Sequence, residues 1–147
     1  MLMAGARALY ELDIKKIVAL STLRQLGLII TTIGLGLFEV AFFHLLTHAF
    51  FKALLFMSVG NMIHLSRDFQ DLRKISLIEF CYPVSLSFAV VANCRLCGLP
   101  FMAGFYSKDL ILETTLTELP SAIFVLCMYL AVALTVAYTV RFIVLII

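Results

Sequence analysis

The sequence predicts an all-α integral membrane protein, a helical bundle fragment of about four transmembrane helices, one of them discontinuous. Three observations carry that expectation. The 147 residues are 63% apolar and 14% charged, with mean hydropathy +1.10, against about 25% charge in ordinary soluble domains. The apolar runs are long enough, at about 1.5 Å per helical residue, to cross a hydrocarbon core about 30 Å thick. Third, one run is interrupted by GLPFMAGF, where Gly98, Pro100 and Gly104 break a helix near membrane depth. A single membrane domain, 1–147, is expected, with spans over about 17–37, 40–63, 81–115 (broken near 98–104) and 120–147.

Composition also excludes. A net charge of +2, with no basic patch interleaved with aromatics, argues against nucleic acid as a partner. Cys81, Cys94, Cys97 and Cys127 form neither a disulfide framework nor a zinc site, and Cys94-x-x-Cys97 reads as a pair of small packing residues. There is no glycine-rich dinucleotide fingerprint, cysteine set for an iron–sulfur cluster or flavin signature, so no redox cofactor is expected in this chain.

Residues 1 to 16 hold Arg7, Glu11, Asp13, Lys15 and Lys16 in place of a signal peptide's apolar core. They read as the surface-bound tail of a preceding element, as in a truncated chain. The run from Ile17 to Leu37 places Ser21, Gln25 and Thr32 at offsets of four and seven, a small polar stripe on one helix face. That stripe either meets polar groups of the next helix or serves as packing glue. Arg24 lies within the span but off the stripe. A short turn at Gly36 to Glu39 makes the next helix an antiparallel neighbour.

That next helix, VAFFHLLTHAFFKALLFMSVGNMI from Val40 to Ile63, carries His44, His48 and Lys52. Their four-residue spacing drifts by about 80° over the set and climbs about 6 Å per step, so one polar stripe runs up an apolar rod. A lysine at membrane depth is costly, by about 3 kcal/mol on insertion scales, and by default faces a bundle interior on an ion or proton path. The competing reading is a snorkelling lysine with satisfied histidines. Lys52 opposes it by lying mid-span, about eleven residues from either end.

The loop HLSRDFQDLRKISLIEF follows, mixed in charge, with His64 at headgroup level. In the broken element, freed backbone groups must line a cavity or be buried in protein, as at the ion sites of transporters. Lys108 and Asp109 come directly after the break as adjacent opposite charges, and Glu113 lies one turn beyond; an interfacial cluster where the span ends is the alternative. Arg7, Lys15, Lys16, Arg67, Arg73 and Lys74 fall on one side. The positive-inside rule turns that side to the cytoplasm or the mitochondrial matrix.

The stretches ALYELDIKKIVALSTLRQLGL, FHLLTHAFFKALLFMSVG and LCGLPFMAGFYSKDLILE resemble the antiporter-like membrane subunits of respiratory complex I, most of all a mitochondrial member from an invertebrate animal. The resemblance covers residues 4 to 115 and grows diffuse after Glu118. It implies a slice of a longer subunit, without the family's N-terminal half or long lateral helix. It further implies an enzyme subunit of the proton-translocating NADH:ubiquinone reductase of the mitochondrial inner membrane, with the basic loops toward the matrix. Other membrane subunits and the lipid bilayer would be partners, while NADH, FMN, iron–sulfur clusters and ubiquinone belong to other subunits of the complex.

Residue by residue, the resemblance assigns His44 and His48 to the bridging histidines of the proton relay, Lys52 to the lysine of HAFFKA and Lys108 to the lysine of the broken helix. Asp109 is added as a charge partner. In the implied mechanism a buried lysine exchanges protons with histidines and bound water under the influence of nearby charge. The lysine and glutamate of the family's first half-channel have no counterpart here. Two alternatives remain: an Mrp-type cation/proton antiporter subunit, and a non-functional product of a nuclear-inserted or mistranslated mitochondrial gene.

Arg7, Arg24 and Arg95 stand where the family usually shows serine or another small residue, and Arg24 and Arg95 would each bury an unpaired guanidinium in a span. Invertebrate mitochondria read AGA and AGG as serine and UGA as tryptophan, and this sequence has no tryptophan. The pattern predicts a mitochondrial segment translated with the standard code, its ends set by codons misread as stops.

Overall fold

The computed structural model describes residues 1–66, 69–75, 83–118 and 122–146. Among them the chain is helical, in the order α1 (Leu2–Tyr10), α2 (Ile14–Gly34), α3 (Phe38–Leu65), α4 (Leu72–Ile75), α5 (Pro83–Cys97), α6 (Ala103–Glu118) and α7 (Ala122–Ile146). The helices α2, α3 and α7 are long and apolar enough to cross a membrane, and α5 is a shorter apolar helix. Large apolar side chains such as Leu23, Ile30, Phe42, Phe50, Leu126 and Val144 remain on the outside, as a bundle in lipid requires. This is a helical membrane bundle.

The expected surface tail is instead a helix packed into the bundle. The small residues Ala4, Gly5 and Ala8 of α1 are buried, and α1 packs on both α2 and α7. A Cβ at Gly5 would come 3.3 Å from the Leu134 side chain and 3.4 Å from Arg24 Cδ, so the absent side chain lets the helices approach. Backbone bonds then tie the connection after α1 to the segment leading into α4: Ile14 N donates to Gln70 O at 3.0 Å and Leu72 N to Leu12 O at 3.2 Å.

The helix α2 starts and ends three residues earlier than the sequence suggested. It stops at Gly34 because Gly36 takes a left-handed φ of +81°, which a residue without Cβ adopts at little cost. Three connecting residues then return the chain as α3, so rising positions on α2 meet falling positions on α3. The helix α3 is the hub, in contact with α2, α5 and α6. Ile17, Val18, Leu55, Val59, Ala92 and Leu96 belong to one apolar cluster, and Leu28, Ile111 and Met128 to a second. On α2 the polar residues Ser21, Arg24 and Gln25 lie between the two clusters, so a polar layer is held between apolar ones.

Of the basic positions expected on one side, Arg67 lies outside the described residues, as does Cys81. Cys94, Cys97 and Cys127 are free thiols.

Candidate functional site

The four-residue spacing on α3 brings its polar stripe against α2 on one flank and the α5–α6 break on the other. Lys52 is 4% exposed; its Nζ donates to Val18 O at 3.2 Å and to Ser21 Oγ. Buried His44 contacts Ser107 Oγ through Nδ1 at 3.0 Å and Gln25 Oε1 through Nε2 at 3.4 Å. The His48 ring stacks on that of His44, centroids 6.3 Å apart and planes at 27°. Thus Ser21 and Gln25, two members of the α2 stripe, do meet the stripe of the next helix. Thr32, the third, is buried and bonds its own helix at Ile29 O.

The break supplies Lys108 with its acceptor. The helix α5 ends where Gly98 takes φ +85°, and the residue four beyond Leu96 is Pro100, which has no N–H. The Leu96 carbonyl is thereby free of its helical partner and accepts from Lys108 Nζ. The non-helical window runs from Gly98 to Met102, within the break expected near 98–104. Phe101 shares the left-handed conformation, at φ +68°, which sequence reasoning had not assigned to it. Gly104, expected in the break, lies in the first turn of α6, where a Cβ would run into the Arg95 carbonyl oxygen, so this glycine lets the start of α6 close on the end of α5.

Gln25, His44, His48, Arg95, Ser107 and Lys108 line a cavity of about 20 Å³, close to the smallest volume that holds one water, about 10–15 Å³. The side-chain nitrogens Gln25 Nε2 and His48 Nε2 are buried there without a hydrogen-bond partner among the described residues. Ser107 was missed at sequence level, although it directly precedes Lys108.

Asp109 is not brought to this cluster. Consecutive helical residues diverge by about 100°, so with Lys108 buried, Asp109 is exposed, as is Glu113. The ion pair found among the described residues is Asp13 with Lys16, at 2.6 Å. Arg95 also departs from expectation: it is half-buried, not fully buried, and its guanidinium carbon lies 2.9 Å from the Phe51 ring centroid. Arg24 is 2% exposed, stands 5.7 Å from the Tyr138 ring centroid, and leaves Nε and Nη1 unpartnered among the described residues.

Comparison with known proteins adds relatives. The membrane-domain family described as "NADH:quinone oxidoreductase/Mrp antiporter, TM" matches residues 1–135. The chain is similar to NADH-ubiquinone oxidoreductase chain 5 of Anopheles gambiae, 48% identical over 141 residues, covering 96% of this chain and 24% of the relative. The protein of that name from Locusta migratoria is 50% identical over 142 residues, 96% of this chain and 25% of the relative. That of Lumbricus terrestris is 48% identical over 141 residues, with the same coverage. The chain spans about a quarter of the length of these curated relatives.

Proposed function

This chain belongs to the NADH:quinone oxidoreductase/Mrp antiporter membrane family, and from that premise we propose that it relays protons in the membrane arm of respiratory complex I. As a subunit of the proton-translocating NADH:ubiquinone reductase it performs no redox chemistry of its own; NADH, FMN, iron–sulfur clusters and ubiquinone act in other subunits. Its place is the mitochondrial inner membrane, among other complex I membrane subunits, with the basic segments toward the matrix.

The observation that carries this reading is the convergence of Lys108, His44, His48 and Lys52, from two helices, on one buried polar layer. Lys52 and Lys108 are held by hydroxyl and carbonyl oxygens, with no ion pair to either among the described residues. A lysine held by neutral acceptors gives up its proton without stranding a bare carboxylate. The histidines between the two lysines can each take a proton at one ring nitrogen and release one at the other. Asp109 is proposed as no more than a charge at the rim.

The test sets this sequence into a subunit of full length in the assembled complex, reconstituted in vesicles. Lys52→Met keeps length and apolar body but removes the titratable group, and is expected to abolish or strongly reduce proton pumping. Lys52→Arg is impaired as well, because a guanidinium does not release its proton at working pH. His48→Ala costs less, since water can fill the vacated space. Pumping at the wild-type level by Lys52→Met, normalised to assembled complex, would end the relay reading.

A further inference from the structure

Gln25 has no role in the relay as stated, yet it is one of the most completely enclosed polar side chains of the bundle, 1% exposed. It sits on α2 opposite His44, and its two ends differ. Oε1 meets His44 Nε2 at 3.4 Å, whereas Nε2 has no partner among the described residues. On the far side of the ring, Nδ1 meets the Ser107 hydroxyl at 3.0 Å. A neutral imidazole carries one proton, so the neighbour that only accepts decides which nitrogen is the donor.

We infer that Gln25 is a positioning residue for His44, fixing the proton on Nε2 and leaving Nδ1 as the accepting nitrogen toward Ser107 and the Lys108 side. The inference rests on the relay reading above and deepens it. An amide oxygen accepts and cannot donate, so Nε2 must be the protonated nitrogen wherever Oε1 faces it. Nδ1 then carries a lone pair, and the Ser107 hydroxyl, whose one proton can otherwise go to Gly104 O at 3.3 Å, turns its donor to Nδ1, the nearer partner at 3.0 Å. A proton released from the Lys108 side as its N–H bond breaks forms an Nδ1–H bond. The cation so made returns to neutral by giving the Nε2 proton to a water in the cavity that His44 and Gln25 both line, because the amide oxygen itself holds a hydrogen bond but takes no proton. One proton enters, one leaves, and the net charge of the ring is restored. The polar groups that line one cavity with the ring are Thr47 and His48 from its own helix, Gln25 from α2, and Arg95, Ser107 and Lys108 from α5 and α6.

The arrangement also explains the orphan amide nitrogen. With Oε1 committed to His44, the NH₂ group must point elsewhere, and the water-sized cavity that Gln25 lines gives that donor room for one solvent partner. Rotating the amide by 180° would place a donor against Nε2 and force the proton to Nδ1, closing the side that faces Lys108.

The experiment uses the full-length subunit in the assembled complex in vesicles, reading protons pumped per NADH oxidised. Gln25→Met keeps the length and removes the acceptor; Gln25→Glu restores an acceptor in the same place. The expected result is a several-fold fall in the ratio for Gln25→Met, with at least half of the loss recovered by Gln25→Glu. In a His44→Ala background Gln25→Met should add no further loss, because a residue acting through His44 has nothing left to act on. A wild-type ratio in Gln25→Met, equal impairment of the Met and Glu variants, or additivity with His44→Ala would overturn the inference. Should Gln25→Met prevent assembly, Gln25→Leu takes its place under the same criteria. Lys52→Met runs alongside: inactive Lys52→Met with wild-type Gln25→Met removes the role of Gln25 alone, whereas wild-type Lys52→Met removes the relay beneath it.

Discussion

Lys52 and Arg24 occupy the same layer of the bundle on facing helices, since Lys52 Nζ bonds Ser21, three residues before Arg24. Both are almost fully enclosed. The lysine has two oxygens waiting for it, the Val18 carbonyl and the Ser21 hydroxyl. The arginine lies against the Tyr138 ring with Nε and Nη1 unpartnered among the described residues. A guanidinium carries five N–H donors in a fixed fork, and leaving buried donors unmet costs about 1–3 kcal/mol each, more when they are charged. The bundle is thus built around one of these cations and merely encloses the other. Arg95, half-buried against Phe51, stands between the two cases.

The sharpest way to break that comparison is to shrink Arg24. If position 24 is shaped for a small hydroxyl residue, Arg24→Ser should stabilise the bundle by about 3 kcal/mol, the scale of an uncompensated buried charge. Resistance to denaturation in detergent micelles would measure it, and a loss of stability would show that the guanidinium has partners in the assembled protein. The comparison bears on position 24 alone, since Arg7 is exposed and Arg95 only half-buried; the misread-codon reading nonetheless makes one expectation for all three positions, 7, 24 and 95. Mass spectrometry of native membranes should find serine there, and CGN codons at those positions in the gene would sink the idea.

How much of this could be read in the sequence depends on whether the signal was local. The His44, His48 and Lys52 stripe was legible because helical spacing alone sets which residues share a face. So was the misfit of Arg24, because an arginine in an apolar run is anomalous wherever it points. The packing of α1 was not legible: Ala4, Gly5 and Ala8 become a contact surface only once α7 is beside them. Neither was the acceptor for Lys108, which exists because Pro100 frees the Leu96 carbonyl and the chain then doubles back. Adjacency in sequence misled at Asp109, where one residue of helical rotation carries the carboxylate out of the layer that Lys108 enters.

A smaller effect is expected from Gly104→Ala, which tests how Lys108 is housed and leaves its charge in place. The new methyl would meet the Arg95 carbonyl, which is backbone and cannot swing aside, so α6 must move off α5. Overpacking of this kind costs about 1–3 kcal/mol. Lys108 Nζ should also lose its hold on Leu96 O, so pumping by the assembled complex should fall further than the stability loss alone explains. Wild-type pumping in Gly104→Ala would mean that the Lys108 bond to the break is dispensable.

The smallest effect lies outside the apolar layer, where a charge pair faces water. Asp13 precedes α2 and pairs with Lys16 at 2.6 Å, with 30% of the Asp13 side chain and 62% of the Lys16 side chain exposed. The hydrogen bond from Lys16 is the largest influence holding the Asp13 carboxyl below its ordinary value of 3.8. A carboxylate depressed in the folded state adds stability above its unfolded pKa and loses it as pH falls through the folded value. Asp13→Asn should therefore be slightly less stable than the parent at neutral pH, with the gap closing as pH drops below 3.8 and shrinking when salt is added. Exposed pairs contribute little because water and ions already screen them. The contrast with the interior is the point of the measurement: salt should erase the Asp13 effect and leave the Arg24→Ser gain untouched, because ions reach the first pair and not the second. Equal salt sensitivity in the two would mean that water reaches Arg24 after all.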